Sequence, residues 1–162
     1  MQPGLSYPGI SIVFLCHDQD GKFLFNLRSQ NCRDEQGRWD CGGGAVEFGL
    51  PVLDTLKKEI KEEYSADVIE YHYLGYRDVH REVDGQQSHW VTLDFLVLID
   101  HDQVKNNEPQ KFDQIDWFDF DHLPSPLHSQ FPDFRTRYRT QIDQIVARVK
   151  NQPAITTPST PS

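Results

Sequence analysis

Residues 42–68 read GGGAVEFGLPVLDTLKKEIKEEYSADV, and the reading of this stretch decides the fold. Pro51 suits a first helical turn, Asp54 complements the positive helix end, and Val52, Leu53, Leu56, Ile60 and Tyr64 recur at helical spacing, which predicts a helix over 51–64. Wound at about 100° per residue, that helix places Glu59, Glu62 and Glu63 on one arc beside the apolar stripe, with Asp54, Lys57 and Lys61 on the wet face. Like charges at i,i+4 next to a desolvating surface are costly, and Lys58 is one cation against three carboxylates. The pattern therefore leaves room for a hard divalent cation with oxygen ligands. A solvated helix face is the plainer reading of the helix alone. Upstream, Gly42-Gly43-Gly44 permits close backbone approach, so that glycine segment and helix together could hold carboxylates, metal and phosphate close together.

Working outward, residues 10–17 and 22–28 are β-branched and aromatic, separated by Asp18-Gln19-Asp20-Gly21, which reads as a hairpin turn. A calcium loop is excluded there because its twelfth position is Ser29 rather than glutamate. Residues 29–38 are a polar loop ending near Gly37, and Trp39 opens a short segment running into the glycines. Further strands are expected at 68–76, 90–99 and 115–120, with a loop carrying Asp84-Gly85 between the first two. After Leu123-Pro124-Ser125-Pro126, a last helix is expected over about 134–150, with Tyr138, Ile142, Ile145, Val146 and Val149 as its apolar stripe. The fold class is α/β (α+β), with residues 1–150 as one domain and 151–162 as a flexible tail rich in Pro, Ser and Thr.

The chain has 162 residues, enough to bury a core without a disulfide framework or structural metal. Lys plus Arg number 16 and Asp plus Glu 25, a formal charge of −9 that disfavours a nucleic-acid polymer as partner. Cys16, Cys32 and Cys41 match no C-x-x-C spacing and fit a reducing cytoplasm. The N-terminal residues lack a positive leader, and no apolar run is long enough to span a membrane. No H-x-x-x-H pair suited to zinc is present, and none of the seven histidines is expected to ligate metal.

The 42–68 stretch resembles the Nudix (MutT-like) hydrolase box, usually written G-x5-E-x7-R-E-U-x-E-E-x-G-U with U aliphatic. Gly44 matches the first glycine, Glu59 the glutamate after the arginine, Ile60 the aliphatic position, and Glu62 and Glu63 the paired glutamates. Leu50, Lys58 and Ser65 stand where the box has glutamate, arginine and glycine. With its flanking strand order, the resemblance extends over roughly residues 8–150. It implies an α/β/α sandwich with a mixed sheet, and hydrolysis of a nucleoside diphosphate linked to another group, with Mg²⁺ or Mn²⁺ held by the box glutamates. Leu50 removes an acid that in the family helps the metal shell or the loop; Lys58 keeps the charge but loses the planar fork; Ser65 ends the helix without glycine's freedom. Glu108-Pro109 with Lys111, Asp116-Trp117-Phe118 and Leu123-Pro124 are similar to the branch that converts nucleoside triphosphates to monophosphate and pyrophosphate.

On this reading Glu59, Glu62 and Glu63 form the metal shell and catalytic set, Glu59 doubling as the base, and Asp113 or Glu108 adds a loop carboxylate. Gly43 and Gly44 offer backbone approach to substrate, and Arg28, Arg38 and Arg77 offer cations to its phosphates. Trp39 is the chosen base-stacking residue among Trp39, Trp90, Trp117 and Phe112, with core packing the plainer reading for any one aromatic. The partner is a small-molecule nucleotide, and a homodimer stays open. Two alternatives remain: an ADP-ribose or nucleotide-sugar pyrophosphatase, and a degenerate domain that binds nucleotide without turnover, motivated by Leu50 and Lys58.

Overall fold

The structure is a computed structural model that describes residues 1–154, and of Val83 only the backbone. The expected tail lies outside the described residues from position 155 onward. The chain forms β1 (Gly9–His17), β2 (Phe23–Arg28), β3 (Trp39–Asp40), β4 (Gly43–Ala45), α1 (Val52–Tyr64), β5 (Val68–Val83), β6 (Gln86–Ile99), β7 (Phe112–Phe118) and α2 (Phe131–Lys150), with a short 3-10 turn at His101–Gln103.

One mixed sheet carries these strands in the order β3-β2-β1-β6-β5, with β4 paired to β1 and β7 paired to β2. β1 runs parallel to β6 over its whole length, and the other pairings are antiparallel. Strands covered on both faces read as near-continuous apolar runs, and β1 and β6 do so. Ile12, Phe14 and Cys16 of β1, with Phe95, Val97 and Ile99 of β6, pack on Leu56, Ile60 and Tyr64 of α1. The intervening Leu15 and Leu96 face the other way, onto Phe131, Phe134, Tyr138 and Ile142 of α2. A sheet between two helix layers is the mixed α+β sandwich that the order of strands and helices predicts. Among the described residues, no helix is long and apolar enough to cross a membrane.

Some element boundaries differ from the sequence reading. The loop expected between residues 76 and 90 is instead the outer half of a long β5–β6 hairpin, turning at Asp84-Gly85. Its arms alternate Arg, Asp, His and Glu with few apolar residues, because an exposed hairpin end needs no buried face and so leaves little hydrophobic signal. α2 begins at Phe131 rather than near 134, since Pro132 is tolerated in the first turn. On α1, Leu53 is 37% exposed although it was assigned to the apolar stripe, and Thr55 is buried. Leu53 lies within the angular span of the stripe but in the first turn of the helix.

Candidate active site

The three helix glutamates divide according to their angle from the apolar stripe. Glu63, nearest to it, is buried; Glu59 is half-buried; Glu62, farthest away, is exposed. Glu63 Oε2 has no hydrogen-bond partner among the described residues. Burial raises the Glu63 carboxyl well above its usual range, with Glu59, Glu108 and Asp40 adding to the shift and Lys111 opposing it. Burial raises Glu59 as well, followed by the charge of Glu62. Two carboxyls that resist ionisation for want of a counter-charge mark a place that a cation would stabilise.

The glycine segment lies directly against this helix. A Cβ at Gly44 would stand 2.7 Å from Glu59 Cδ, and one at Gly43 would stand 2.5 Å from the Ile12 carbonyl oxygen. Only residues without side chains let β4 pair with β1 and leave the helix carboxylates this close. The far end of α1 is tied to the same segment: Tyr64 donates its hydroxyl proton to the Cys41 carbonyl and accepts a hydrogen bond from Asn26 Nδ2.

A fourth acid enters on the loop before β7. Lys105 N donates to Tyr64 O, Asn107 N to Glu63 O, and Asn107 Nδ2 to Glu62 O, so this loop satisfies carbonyls left open at the end of α1. The same loop presents Glu108, paired with Lys111 at 2.8 Å. Asp113, expected as a metal ligand, is exposed at the bulge of β7, where Phe112 and Gln114 pair with successive residues of β2. The loop acid whose charge weighs on Glu59 and Glu63 is Glu108.

The box departures acquire local explanations. Lys58 pairs with Glu47 at 3.0 Å, so a glutamate three residues before Leu50 supplies the loop acid for that cation. Ser65 caps α1 in the left-handed conformation at φ 58°, donating its backbone N–H to Lys61 O.

Glu63, Asp40 and the three glycines line a cleft of about 340 Å³ that four arginines line as well. Arg28 and Arg77 line it, joined by Arg33 and Arg81, which the sequence reading did not single out. Arg28 and Arg81 share Asp34, while Arg81 and Arg38 share Glu35. Arg33 has no ion pair among the described residues. Arg77 is only 3% exposed and is held bidentately by Asp94 at 2.7 and 3.1 Å, which makes it part of the core as much as of the cleft wall.

Arg38 and Trp39 do not line the cleft. Trp39 packs edge-on against Phe118 on the α2 side, and Trp117 stacks on His101. Of the four aromatics weighed from the sequence, Trp90 and Phe112 line the cleft, beside Phe131 and Phe134.

These features define a small mixed-sheet sandwich with a cleft lined by the glycine strand, Glu63 of the acidic helix and four arginines, while Glu59 and Glu62 lie outside that lining. The NUDIX domain family model matches residues 7–140, and the chain belongs to that family. The crystal structure of a MutT NUDIX hydrolase from Burkholderia pseudomallei matches with a TM-score of 0.69 at 25% identity, covering 86% of this chain and 99% of that one. MutT protein from Methanosarcina mazei Go1 shares the fold with a TM-score of 0.68 at 24% identity, over 85% and 97% of the two chains. The NUDIX domain of Shewanella oneidensis NrtR, crystallised with ADP ribose, shares it with a TM-score of 0.68 at 14% identity, over 88% and 90%.

Proposed function

We propose that this chain hydrolyses a phosphoanhydride bond of a nucleoside diphosphate linked to another group, and that it converts a (deoxy)nucleoside triphosphate to monophosphate and pyrophosphate. The observation that carries this reading is the buried Glu63 oxygen, unpartnered among the described residues, in a cleft that Arg28, Arg33, Arg77 and Arg81 also line. A phosphoanhydride resists water because its own oxygens repel the nucleophile, so a site must combine local cations with a proton acceptor.

Glu59, Glu62 and Glu63, with Glu108 beside them, are the all-oxygen donor set that a hard divalent cation such as Mg²⁺ or Mn²⁺ takes. When bound, that cation neutralises phosphate charge and makes water more acidic. Glu59 accepts a proton from water as the water oxygen bonds to phosphorus and the bond to the leaving phosphate oxygen breaks. Arg33 and the guanidinium group of Arg28 meet the polyphosphate, and the backbone of Gly43 and Gly44 lets it approach the helix. Trp90 and Phe112, which line the cleft, are available to the base, a role the sequence reading had given to Trp39.

The test is a panel of (deoxy)nucleoside triphosphates, ADP-ribose, diadenosine polyphosphates and nucleotide sugars, incubated with and without Mg²⁺ and resolved by chromatography. Glu62→Gln runs alongside, because that exposed residue can be changed without disturbing the core. Metal-dependent turnover that the variant loses supports the reading, and its products name the substrate class. Ligand-induced thermal stabilisation without turnover, in Mg²⁺ or Mn²⁺, replaces the enzyme with a binding domain.

A further inference from the structure

The outer half of the β5–β6 hairpin carries a second set of donors. Asp78 and His80 are two residues apart on β5, so their side chains leave the same face. His89 is paired directly opposite His80 on β6 and shares that face. The two imidazoles stack with centroids 4.2 Å apart, and His89 Nε2 lies 2.9 Å from Asp78 Oδ1. One donor atom from each of the three side chains lies within 4.8 Å of the other two.

An ion pair between exposed Asp78 and partly buried His89 would contribute at most about 1 kcal/mol and would use only one imidazole. The second ring, held parallel to the first by the hairpin register, brings another nitrogen to the same point. Two imidazole nitrogens and one carboxylate oxygen suit borderline transition ions and are a poor match for Mg²⁺. Donors at ~2.0–2.1 Å around tetrahedral zinc stand ~3.3 Å apart, so closing from the present spacing asks only for rotation of exposed side chains on a fixed backbone.

We propose that Asp78, His80 and His89 form a metal site for Zn²⁺ or a similar transition ion, separate from the glutamate cluster. His80 and His89 also border a cleft of about 540 Å³ between the hairpin and residues 4–8, which gives water or a small anion access to the remaining coordination positions. The N-terminal segment is fastened to the site by the hydrogen bond from His89 N to Gly4 O. Arg77 and Val79, on the opposite face of β5, line the first cleft, so an ion here would brace the strand that carries part of its wall.

The experiment uses metal-stripped full chain with Cys32→Ser, which removes the half-exposed thiol as a competing ligand, in excess Mg²⁺. Zn²⁺ is titrated calorimetrically and Cu²⁺ is followed by electron paramagnetic resonance. The expected result is one Zn²⁺ per chain, a Cu²⁺ spectrum split by two nitrogens, and affinity unchanged by Glu63→Gln. Affinity should fall at least about tenfold in His80→Gln and in His89→Gln. Those variants should melt like the parent without metal, since both side chains lie at the surface. Zn²⁺ binding of unchanged affinity in the double histidine variant, or no saturable Zn²⁺ uptake by the parent, overturns the proposal. Loss of nucleotide hydrolysis would leave it standing, because neither histidine belongs to the glutamate site.

Discussion

Glu63 illustrates how one residue's position is written in a helical wheel while its consequence is not. Its angle places it against the stripe; that no protein group reaches its inner oxygen is a three-dimensional fact. Glu63→Gln should lower turnover by about 10²-fold or more. In metal-free protein it should hold or raise the melting temperature, since the amide removes a charge that burial disfavours. Differential scanning calorimetry beside a rate assay checks both. His17, only 1% exposed, has its pKa lowered to about 4, chiefly by burial. The unfolded chain therefore takes up a proton between its ordinary 6.5 and about 4 that the folded protein refuses. Stability is full above that window and falls as pH drops through it, by roughly 3 kcal/mol at most. His17→Phe, keeping the ring against Phe23, should flatten this part of the pH–stability curve in urea titrations. The compensation of Lys58 by Glu47 was not legible, because a pattern with fixed spacing looks for its acid at Leu50 and not three residues earlier.

At the scale of elements, α1 was legible in length and phase because its apolar residues recur cleanly, and β1 because a dense run bounded by a turn has few other meanings. The outer hairpin and the loop before β7 were not. That loop is ordered by what it does for another element, closing the carbonyl end of α1, and a sequence shows such service only as polar residues. The same end of that helix yields two expectations. Tyr64→Phe strips a partner from both the Cys41 carbonyl and Asn26 and should cost about 1–3 kcal/mol, read by urea denaturation. A drop in turnover should accompany it, since the bond ties helix to glycine segment. Ser65→Gly relieves a left-handed backbone and should stabilise by about 0.5–1 kcal/mol without changing turnover.

For the whole molecule, the two-layer cover of the sheet followed from apolar runs, but the tie through its middle did not. Asp94 is fully buried in β6, held by Arg77 of β5 and by the Tyr138 hydroxyl of α2, so three elements meet at one carboxylate. Arg77 was expected among the substrate's cations because a lone arginine near a strand end reads as free. The available clue was Asp94 itself, an acid inside an apolar strand, which must find a partner or not be there. Arg77→Met should therefore destabilise the protein by about 3–5 kcal/mol, measured by chemical unfolding, because it abandons a buried charge. Restoring charge with Arg77→Lys should recover only part of this, since an ammonium cannot span both carboxylate oxygens.

The glycine strand has a consequence for how the molecule assembles. Because β1 is apolar on both faces, sliding it by one residue would still bury hydrocarbon, so hydrophobicity alone does not choose the frame. Gly43 over the Ile12 carbonyl and Gly44 under Glu59 limit it, since a slide that brought Ala45 to the place of Gly44 would drive its Cβ into Glu59. The glycines that line the cleft thus also bear on how strand and helix are set. Substituting them would damage folding yield and turnover together, and the two roles can be told apart only from the glutamate side of the contact.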